Sequence, residues 1–335
     1  MLYGVTPRPA FRLEPNQHVS NPPPITRKST VRTEYDARRR ALWLYMSPRP
    51  RPCFTPELLA DILAAQDNLR RDADNVDFFV AASDIPGVFN LGGDLSLFQR
   101  AVAAKDSAAL MHYAERCVQA LYGPISGFGS GITSIALLQG DALGGGLEAA
   151  LSCHIVVAER GVKMGFPEIM FNLFPGMGAL SFVARRAGQR VAERLILDGE
   201  ILPAEEMHEL GLVDHLAEKG EGVELVQELI RRRSRASNGL RAFQRARMHT
   251  PLSVPYEELL AVTREWVDAA CRLESRDLRI MDRLVKAQDR LAGATASATE
   301  PEFALAGATA SATEPEFALA GAMARATEPE LALAA

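Results

Sequence analysis

Residues 140–151 read GDALGGGLEAAL, and this glycine-rich stretch decides how the chain is interpreted. It follows an apolar run, SIALLQ at 134–139, that predicts a buried strand. Gly144, Gly146 and Ala149 fit G-x-G-x-x-A, the pattern of dinucleotide-binding loops. The stretch can be a phosphate loop, a structural turn, or a glycine-built pocket for another negative charge.

The spacing around this stretch argues against a dinucleotide loop. In such loops the first glycine directly ends a strand, and an acidic residue ends the next strand about 20 residues later. Here residues 141–143 separate the predicted strand from Gly144, and Glu159 follows Gly144 by only 15 residues. A structural turn stays open as an interpretation, because glycines allow close backbone approach without any chemistry.

A second glycine pair lies in another loop after a predicted buried strand. The strand is DFFVAAS at 77–83, and Gly92 and Gly93 follow it within FNLGGDL at 89–95. Two such loops can bring two backbone N–H groups to one point, where they stabilise the oxyanion of an enolate or a tetrahedral intermediate. The two loops together therefore favour an oxyanion pocket over a bare turn.

Five short motifs occur in order over about residues 77–215. They are F-x-A-G-x-D at Phe89–Asp94 with Leu91 in place of alanine, A-L-G-G-G-x-E at Ala142–Glu148, a strand ending in P-E at Lys163–Glu168, P-G-x-G at Pro175–Gly178, and A-x-x-L-x-L-x-G at Ala192–Gly199 with G-L-V at Gly211–Val213. This set resembles the crotonase (enoyl-CoA hydratase/isomerase) superfamily. The resemblance implies an α/β crotonase fold, a spiral of repeated ββα turns, with a C-terminal helical region.

The resemblance also implies roles for four residues. The N–H groups of Gly93 and Gly145 would form the oxyanion hole, and Glu148 and Glu168 would be the catalytic carboxylates. Two glutamates on different elements can face opposite sides of one carbon pair, as proton removal from Cα and departure of a Cβ group require. Taken alone, Glu148 is equally well a first-turn helix acid, and Glu168 a solvated loop charge.

Within the superfamily the chain most resembles the diffusible signal factor synthases, the RpfF-type enzymes, in the segments 34–59, 84–98 and 165–186. This implies quorum-sensing synthesis of a cis-2-unsaturated fatty acid, by dehydration of a 3-hydroxyacyl thioester of acyl carrier protein and then thioesterase cleavage. Two alternatives stay open. One is an enoyl-CoA hydratase or isomerase of fatty-acid or secondary metabolism, and the other is a crotonase-fold binding protein that regulates a sensor kinase.

The resemblance implies no cofactor beyond the phosphopantetheine or CoA that carries the acyl group, and it implies a homotrimer. An acyl chain needs an apolar pocket. The candidates for substrate binding are Leu91, Gly92, Met170, Phe171, Leu173, Phe174, Met177 and, in the C-terminal helices, Trp266. Ordinary core packing explains any one of them equally well. Five arginines could receive an acidic carrier protein or a CoA phosphate, although solvated surface is their default: Arg38, Arg39, Arg40, Arg49 and Arg51.

Composition limits which partners, metal sites and cellular locations are expected. The net charge of −5 comes from the last 45 residues, with six Glu against one Arg, and the rest balances at 36 acidic and 36 basic residues. Neither nucleic acid nor a membrane is therefore expected as a partner. The four cysteines are far apart in the sequence and form no CxxC motif, so no metal site is predicted. No apolar export segment is evident, and we expect a cytoplasmic protein.

We divide the chain into four parts. Residues 1–30 are a Pro-rich arm, 31–220 the α/β core, and 221–290 a helical region. Residues 291–335 hold three 14-residue repeats of the type LAGATASATEPEFA, with too little apolar bulk for a core, and we expect disorder there. The main elements expected in the core are strands at 41–46, 77–83, 134–140, 154–159 and 163–166, a helix after Thr55 and Pro56, and a helix at 106–121.

Overall fold

The computed structural model describes residues 29–297. The strands are β1 (Val31–Asp36), β2 (Ala41–Met46), β3 (Phe78–Ser83), β4 (Val88–Asn90), β5 (Thr133–Leu138), β6 (Asp141–Leu143), β7 (Ile155–Glu159), β8 (Lys163–Gly165), β9 (Ile201–Pro203) and β10 (His215–Ala217). The helices are α1 (Pro56–Arg71), α2 (Leu95–Ala103), α3 (Ser107–Ile125), α4 (Gly145–Ser152), α5 (Ala179–Ala187), α6 (Gln189–Leu197), α7 (Ala204–Glu209), α8 (Gly222–Arg233), α9 (Ser237–Arg247), α10 (Tyr256–Ala270) and α11 (Ser275–Ser297). Short 3-10 helices include Pro167–Phe171.

Two sheets organise the described chain. The larger has six strands in the order β1-β2-β3-β5-β7-β10, and the smaller has four in the order β4-β6-β8-β9. Neighbouring strands are parallel except in the pairs β1–β2 and β8–β9. Successive turns of the chain give one strand to each sheet and then a helix, as in β5-β6-α4. The predicted α/β spiral of ββα turns with a helical C-terminal region is confirmed.

Strand β5 shows why a strand of the larger sheet has an almost continuously apolar sequence. All six of its residues are buried, because helices cover both faces of a parallel sheet. On one face Ile135 and Leu137 belong to a cluster with Val226 and Ile230 of α8. The opposite face packs into the main core with α3 and α4. The C-terminal helical region is therefore an integral layer of this fold.

The smaller sheet positions the glycine loops. Strands β4, β6 and β8 run parallel, and Leu143 at the end of β6 lies opposite Gly165 at the end of β8. Parallel strands end at the same edge of a sheet, so the loops that follow them meet there. These loops carry Gly93, Gly145 and Glu168. The topology thus brings the predicted site residues to one edge.

Most predicted elements are found close to their predicted bounds. Thr55 caps α1 by accepting a hydrogen bond from the N–H of Leu58 at 3.2 Å, and Pro56 begins the helix, as predicted. The helix predicted at 106–121 continues to Ile125. Strands β4 and β6 were not predicted, because alternation cannot be recognised in three residues.

Strand β6 corrects one argument against a dinucleotide loop. It places Gly144 directly after a strand, whereas the sequence pattern left residues 141–143 between strand and glycine. The second argument, which concerns Glu159, is unchanged and gains a structural observation. Glu159 accepts hydrogen bonds from the N–H groups of Gly220 at 2.9 Å and Gly222 at 3.2 Å, so its carboxylate is engaged in holding the start of α8.

The termini of the described region bear on the predicted boundaries. Helix α11 continues to Ser297, so the first repeat, predicted to be disordered, begins as helix over 291–297. The arm at 1–28 and the repeats from 298 onward lie outside the described residues. Between residues 29 and 297, every helix is too short or too polar to cross a bilayer.

Candidate active site

A narrow cavity of about 60 Å³ lies at the edge of the smaller sheet, under helices α10 and α11. Its wall is mostly apolar and includes Leu91, Phe98, Leu143, Phe171, Met177 and Trp266. The carboxyl groups of Glu148 and Glu168 open into it, as do the backbones of Gly93 and Gly145. An apolar pocket with a few convergent polar groups is the usual form of a small-molecule site.

The first glycine loop follows β4 and is anchored through both backbone polar groups of Gly92. The N–H of Gly92 donates to Oδ1 of the buried Asn90 at 2.8 Å, and its carbonyl accepts from the N–H of Phe54 at 2.8 Å. The N–H of Gly93 shares a peptide plane with that carbonyl and donates to none of the described residues. The N–H of Gly93 is therefore oriented but unused.

The second glycine loop touches the first. A Cβ on Gly92, whose φ is +93°, would lie 3.0 Å from both the amide nitrogen of Gly145 and the carbonyl oxygen of Leu143. A Cβ on Gly145 would lie 3.5 Å from the amide nitrogen of Gly93. Only glycines allow this approach, and it sets the two free N–H groups side by side. Gly145 also begins α4, whose N-terminus favours negative charge.

Glu148 lies one turn into α4 and is 1% exposed. Its Oε1 atom accepts hydrogen bonds from the N–H groups of Met177 at 2.8 Å and Ala179 at 2.9 Å. Burial raises the pKa of Glu148 from 4.5 to about 7, and the surrounding N–H groups oppose part of that rise because they stabilise the carboxylate. Near neutral pH this group can therefore take or release a proton.

Glu168 lies in the 3-10 helix after β8 and has a different environment. The residue as a whole is half-buried, but its Oε2 atom is shielded from solvent and has no hydrogen-bond partner among the described residues. Burial and, to a smaller extent, the negative charge of Glu148 together raise the pKa of Glu168 from 4.5 to about 8. An unpartnered carboxyl in this setting is favoured in its neutral form.

The two carboxyls form a coupled pair that holds one proton near neutral pH. That proton resides mainly on Glu168, since Glu148 has the N–H donors that favour a carboxylate. The site therefore combines a carboxyl that can donate a proton, a carboxylate that can accept one, and two backbone N–H groups that can donate to an oxyanion. This set suits proton transfer at two adjacent carbons beside a carbonyl.

The raised pKa of Glu168 predicts how stability depends on pH. An unfolded glutamate ionises near 4.5, whereas the folded carboxyl keeps its proton to about 8, so the unfolding free energy falls as pH rises between these values. Glu168→Gln removes this titration. We expect its stability relative to the parent chain to grow by at least about 1 kcal/mol from about pH 5 to pH 8.

Chemical denaturation at the two pH values measures this difference. Glu265→Gln, on the exposed face of α10, is the matched control and should leave it constant. A Glu168→Gln difference as flat as that of the control would show that Glu168 ionises normally in the folded state.

The structure places the predicted site residues in two groups. Gly93, Gly145, Glu148 and Glu168 are brought together, and the candidates Leu91, Phe171, Met177 and Trp266 also line the cavity. Four other candidates lie outside its wall: Gly92, Met170, Leu173 and Phe174. Gly92 supports the oxyanion loops as described above, and the other three pack in or against the main core.

Several lining residues were absent from the sequence prediction. Phe98 of α2 packs edge-on against Trp266 of α10, with ring centroids 4.9 Å apart. Tyr113 of α3 donates its hydroxyl proton to the carbonyl of Phe54 at 2.6 Å and accepts from the N–H of Asp94 at 3.1 Å. Both aromatic residues occupy buried positions of amphipathic helices, so their pattern alone indicates only core.

The arginines considered for a carrier protein make local ion pairs in three cases. Arg39 pairs with Asp36 at 2.6 Å and Arg40 with Asp77 at 3.0 Å. Arg51 lies 3.6 Å from Asp94, which caps α2 and follows Gly93 directly. These contacts are sufficient to explain the three guanidinium groups as parts of the fold.

The comparisons with known proteins agree with this geometry. The family model for enoyl-CoA hydratase/isomerase matches residues 45–279. The enoyl-CoA isomerase/hydratase fer4 of Mycosarcoma maydis is 37% identical over 150 residues, which are 44% of this chain and 54% of that protein. The chain spans about half the length of the curated relatives it matches.

Two solved structures share the fold. Pseudomonas aeruginosa DspI is 26% identical, covers 69% of this chain and 90% of its own, and has a TM-score of 0.61. Enoyl-CoA hydratase from Bacillus halodurans is 20% identical, covers 76% of this chain and 99% of its own, and has a TM-score of 0.68. The family model covers residues 45–279, which include both glycine loops and both glutamates. The chain belongs to the enoyl-CoA hydratase/isomerase family.

Proposed function

We propose that this protein adds water to the double bond of a 2-enoyl thioester and, in the reverse direction, dehydrates the 3-hydroxyacyl thioester. One observation carries the proposal: two glutamates with raised and unequal pKa values line the same apolar cavity as two glycines whose N–H groups have no acceptor among the described residues. The names of the relatives, which include enoyl-CoA and methylglutaconyl-CoA hydratases, support it.

The oxyanion donors act on the thioester carbonyl. Its oxygen would accept hydrogen bonds from the N–H groups of Gly93 and Gly145, and the N-terminus of α4 adds a favourable field. Negative charge grows on this oxygen as the enolate forms. Donors that are already in place stabilise that charge without reorganisation.

The glutamates divide the proton transfers. In hydration Glu148, as carboxylate, takes a proton from water while the hydroxyl oxygen bonds to Cβ, and Glu168, as neutral acid, gives its proton to Cα. The thioester is neither oxidised nor reduced, and one water is consumed. Proton exchange with solvent then restores Glu148 to carboxylate and Glu168 to acid. Dehydration follows the same path backwards.

Loss of the ultraviolet absorbance of the conjugated enoyl thioester tests the activity directly. A series of 2-enoyl-CoA substrates with short, medium and long acyl groups should lose this absorbance, and mass spectrometry should show the gain of one water. Glu148→Gln is the matched inactive control. Absence of hydration across the whole series would contradict the proposal.

The pKa values predict a narrow pH optimum. The rate needs Glu148 ionised and Glu168 protonated, so kcat/KM should rise with an apparent pKa of about 7 and fall with one of about 8. Because the groups are coupled, the two values belong to the pair. Initial rates at low substrate from about pH 5 to pH 10 measure the profile. A flat plateau over this range would exclude the two glutamates as the titrating pair.

A second candidate uses the same site on another carrier. We infer that the protein could release a free cis-2-unsaturated fatty acid from a 3-hydroxyacyl carrier protein, in the manner of diffusible signal factor synthases. The segments that carry this resemblance, 84–98 and 165–186, supply Leu91, Phe98 and Met177 to the cavity wall. After dehydration, water would attack the same carbonyl, and the same N–H pair would stabilise the tetrahedral intermediate.

The two candidates differ in their products. Incubation with 3-hydroxyacyl carrier protein, followed by mass spectrometry of the lipid extract, detects a free unsaturated acid if the second candidate is correct. An enoyl thioester without free acid supports the hydratase alone.

A further inference from the structure

The loop that holds Glu148 is itself held by helix α10. The N–H of Met177 donates to Oε1 of Glu148 at 2.8 Å. The carbonyl of Gly176, which belongs to the same peptide group, accepts a hydrogen bond from Oγ1 of Thr263 at 2.8 Å. A peptide group is planar, so fixing its carbonyl also fixes the direction of its N–H. Thr263 therefore acts on Glu148 through one rigid unit.

The hydroxyl of Thr263 has one proton and two carbonyls within reach. The carbonyl of Leu259, one turn earlier in α10, also lies 2.8 Å from Oγ1. That carbonyl already accepts the helical N–H of Thr263, as interior helix carbonyls do. The buried carbonyl of Gly176 has no other donor among the described residues. Because a buried carbonyl without a partner is costly, the proton is best used on Gly176.

The contact between α10 and the loop is close and buried. Thr263 is fully buried, and a Cβ on Gly176 would overlap the indole of Trp266. The alignment of the Gly176–Met177 peptide thus depends on the side chain at position 263.

We propose that Thr263 is a positioning residue for Glu148, whose hydroxyl orients the Gly176–Met177 peptide so that its N–H reaches the carboxylate. The kinetic consequence rests on the proposed function, because it requires Glu148 to exchange a proton with substrate or water. The hydrogen-bond relay itself does not.

Removal of the hydroxyl should weaken the N–H donor to Glu148. A hydrogen bond to the carbonyl polarises its peptide and strengthens the N–H on the other side by about 10–30%. Without it the carboxylate loses stabilisation, so the pKa of Glu148 should rise above about 7. We expect a rise of about half a unit to one unit in Thr263→Val, with kcat lower by about twofold to fivefold near pH 7 and KM nearly unchanged.

The test reads Glu148 without any substrate. Carbon-13 NMR of side-chain-carboxyl-labelled glutamate, in the Glu168→Gln background, gives the pKa of Glu148, and the signal is assigned by its loss in Glu148→Gln. Thr263→Ser keeps the hydroxyl and should titrate like the parent, whereas Thr263→Val and the smaller Thr263→Ala should titrate higher. Thr133→Val is the matched control, because Thr133 is equally buried but lies on β5, where it accepts from Gln244 at 3.4 Å.

Each outcome decides the proposal. A higher Glu148 pKa in the valine and alanine variants, with the serine variant and the β5 control unchanged, supports it. An unchanged pKa in whichever of these two variants folds, or a serine variant that behaves like valine, overturns it. If the pKa moves but the parent chain hydrates no enoyl thioester, the relay stands and the proposed function fails.

Discussion

The Glu168→Gln variant is expected to hydrate enoyl thioesters about 10²- to 10⁴-fold more slowly than the parent, with KM for the thioester changed little. Glutamine has the shape of the neutral acid but cannot give a proton to Cα. Its amide fills the same space beside the carboxylate of Glu148, so substrate binding and the oxyanion donors should be preserved. Steady-state rates over a range of thioester concentrations separate kcat from KM.

A second readout distinguishes loss of the acid from general damage. Solvent-deuterium exchange at Cα of a saturated acyl thioester should fall with kcat, because the same carboxyl would exchange that proton. The exposed Glu265→Gln variant should keep both rates. A kcat within tenfold of the parent would show that Glu168 is not the acid.

The Gly92→Ala variant is expected to lose about 10²- to 10³-fold in kcat, although position 92 carries no reacting group. Its methyl group would lie 3.0 Å from the amide nitrogen of Gly145 and from the carbonyl of Leu143. Both neighbours are backbone and cannot move aside as a side chain does. The two glycine loops must therefore move apart by a few tenths of an ångström, and this shift displaces the two N–H groups from the point at which both can donate.

Backbone strain alone needs its own control. Gly188 has a φ of +91°, close to the +93° of Gly92, and an added Cβ there meets nothing within 4 Å. Gly188→Ala should show the stability loss of a left-handed alanine while kcat stays near that of the parent. Equal kcat losses in the two variants would refute the role of loop contact.

The glycine loops show which parts of the site can be predicted from local sequence and which cannot. A glycine pair after a buried strand predicts an oxyanion loop, and the family motifs point to Gly93, Gly145, Glu148 and Glu168 as one set. The strands that place these loops, β4 and β6, were not predicted, since three residues carry no readable period. Proximity of the two loops came from parallel pairing in the smaller sheet, which is a long-range property.

The covering residues were harder to predict for a different reason. Thr263, Tyr113 and Phe98 occupy inward positions of amphipathic helices, where the pattern of burial is the same for core and for cavity wall. Which of them meets the site depends on how the helices dock. The opposite error occurred at Leu173 and Phe174. Their apolar loop was predicted to line the pocket, but both residues pack in or against the main core.

The distance along the chain between the two halves of the site has a consequence for biosynthesis. The cavity wall begins at Leu91 and is completed by Trp266 and Leu284, and Gln99 already bonds the carbonyl of Leu278, 179 residues later. Such contacts join residues far apart in sequence, and a high proportion of them slows folding. The wall of the cavity that contains Glu148 is therefore complete only when α10 and α11 are in place. A nascent chain on the ribosome therefore lacks the completed cavity until almost the whole described sequence has been synthesised.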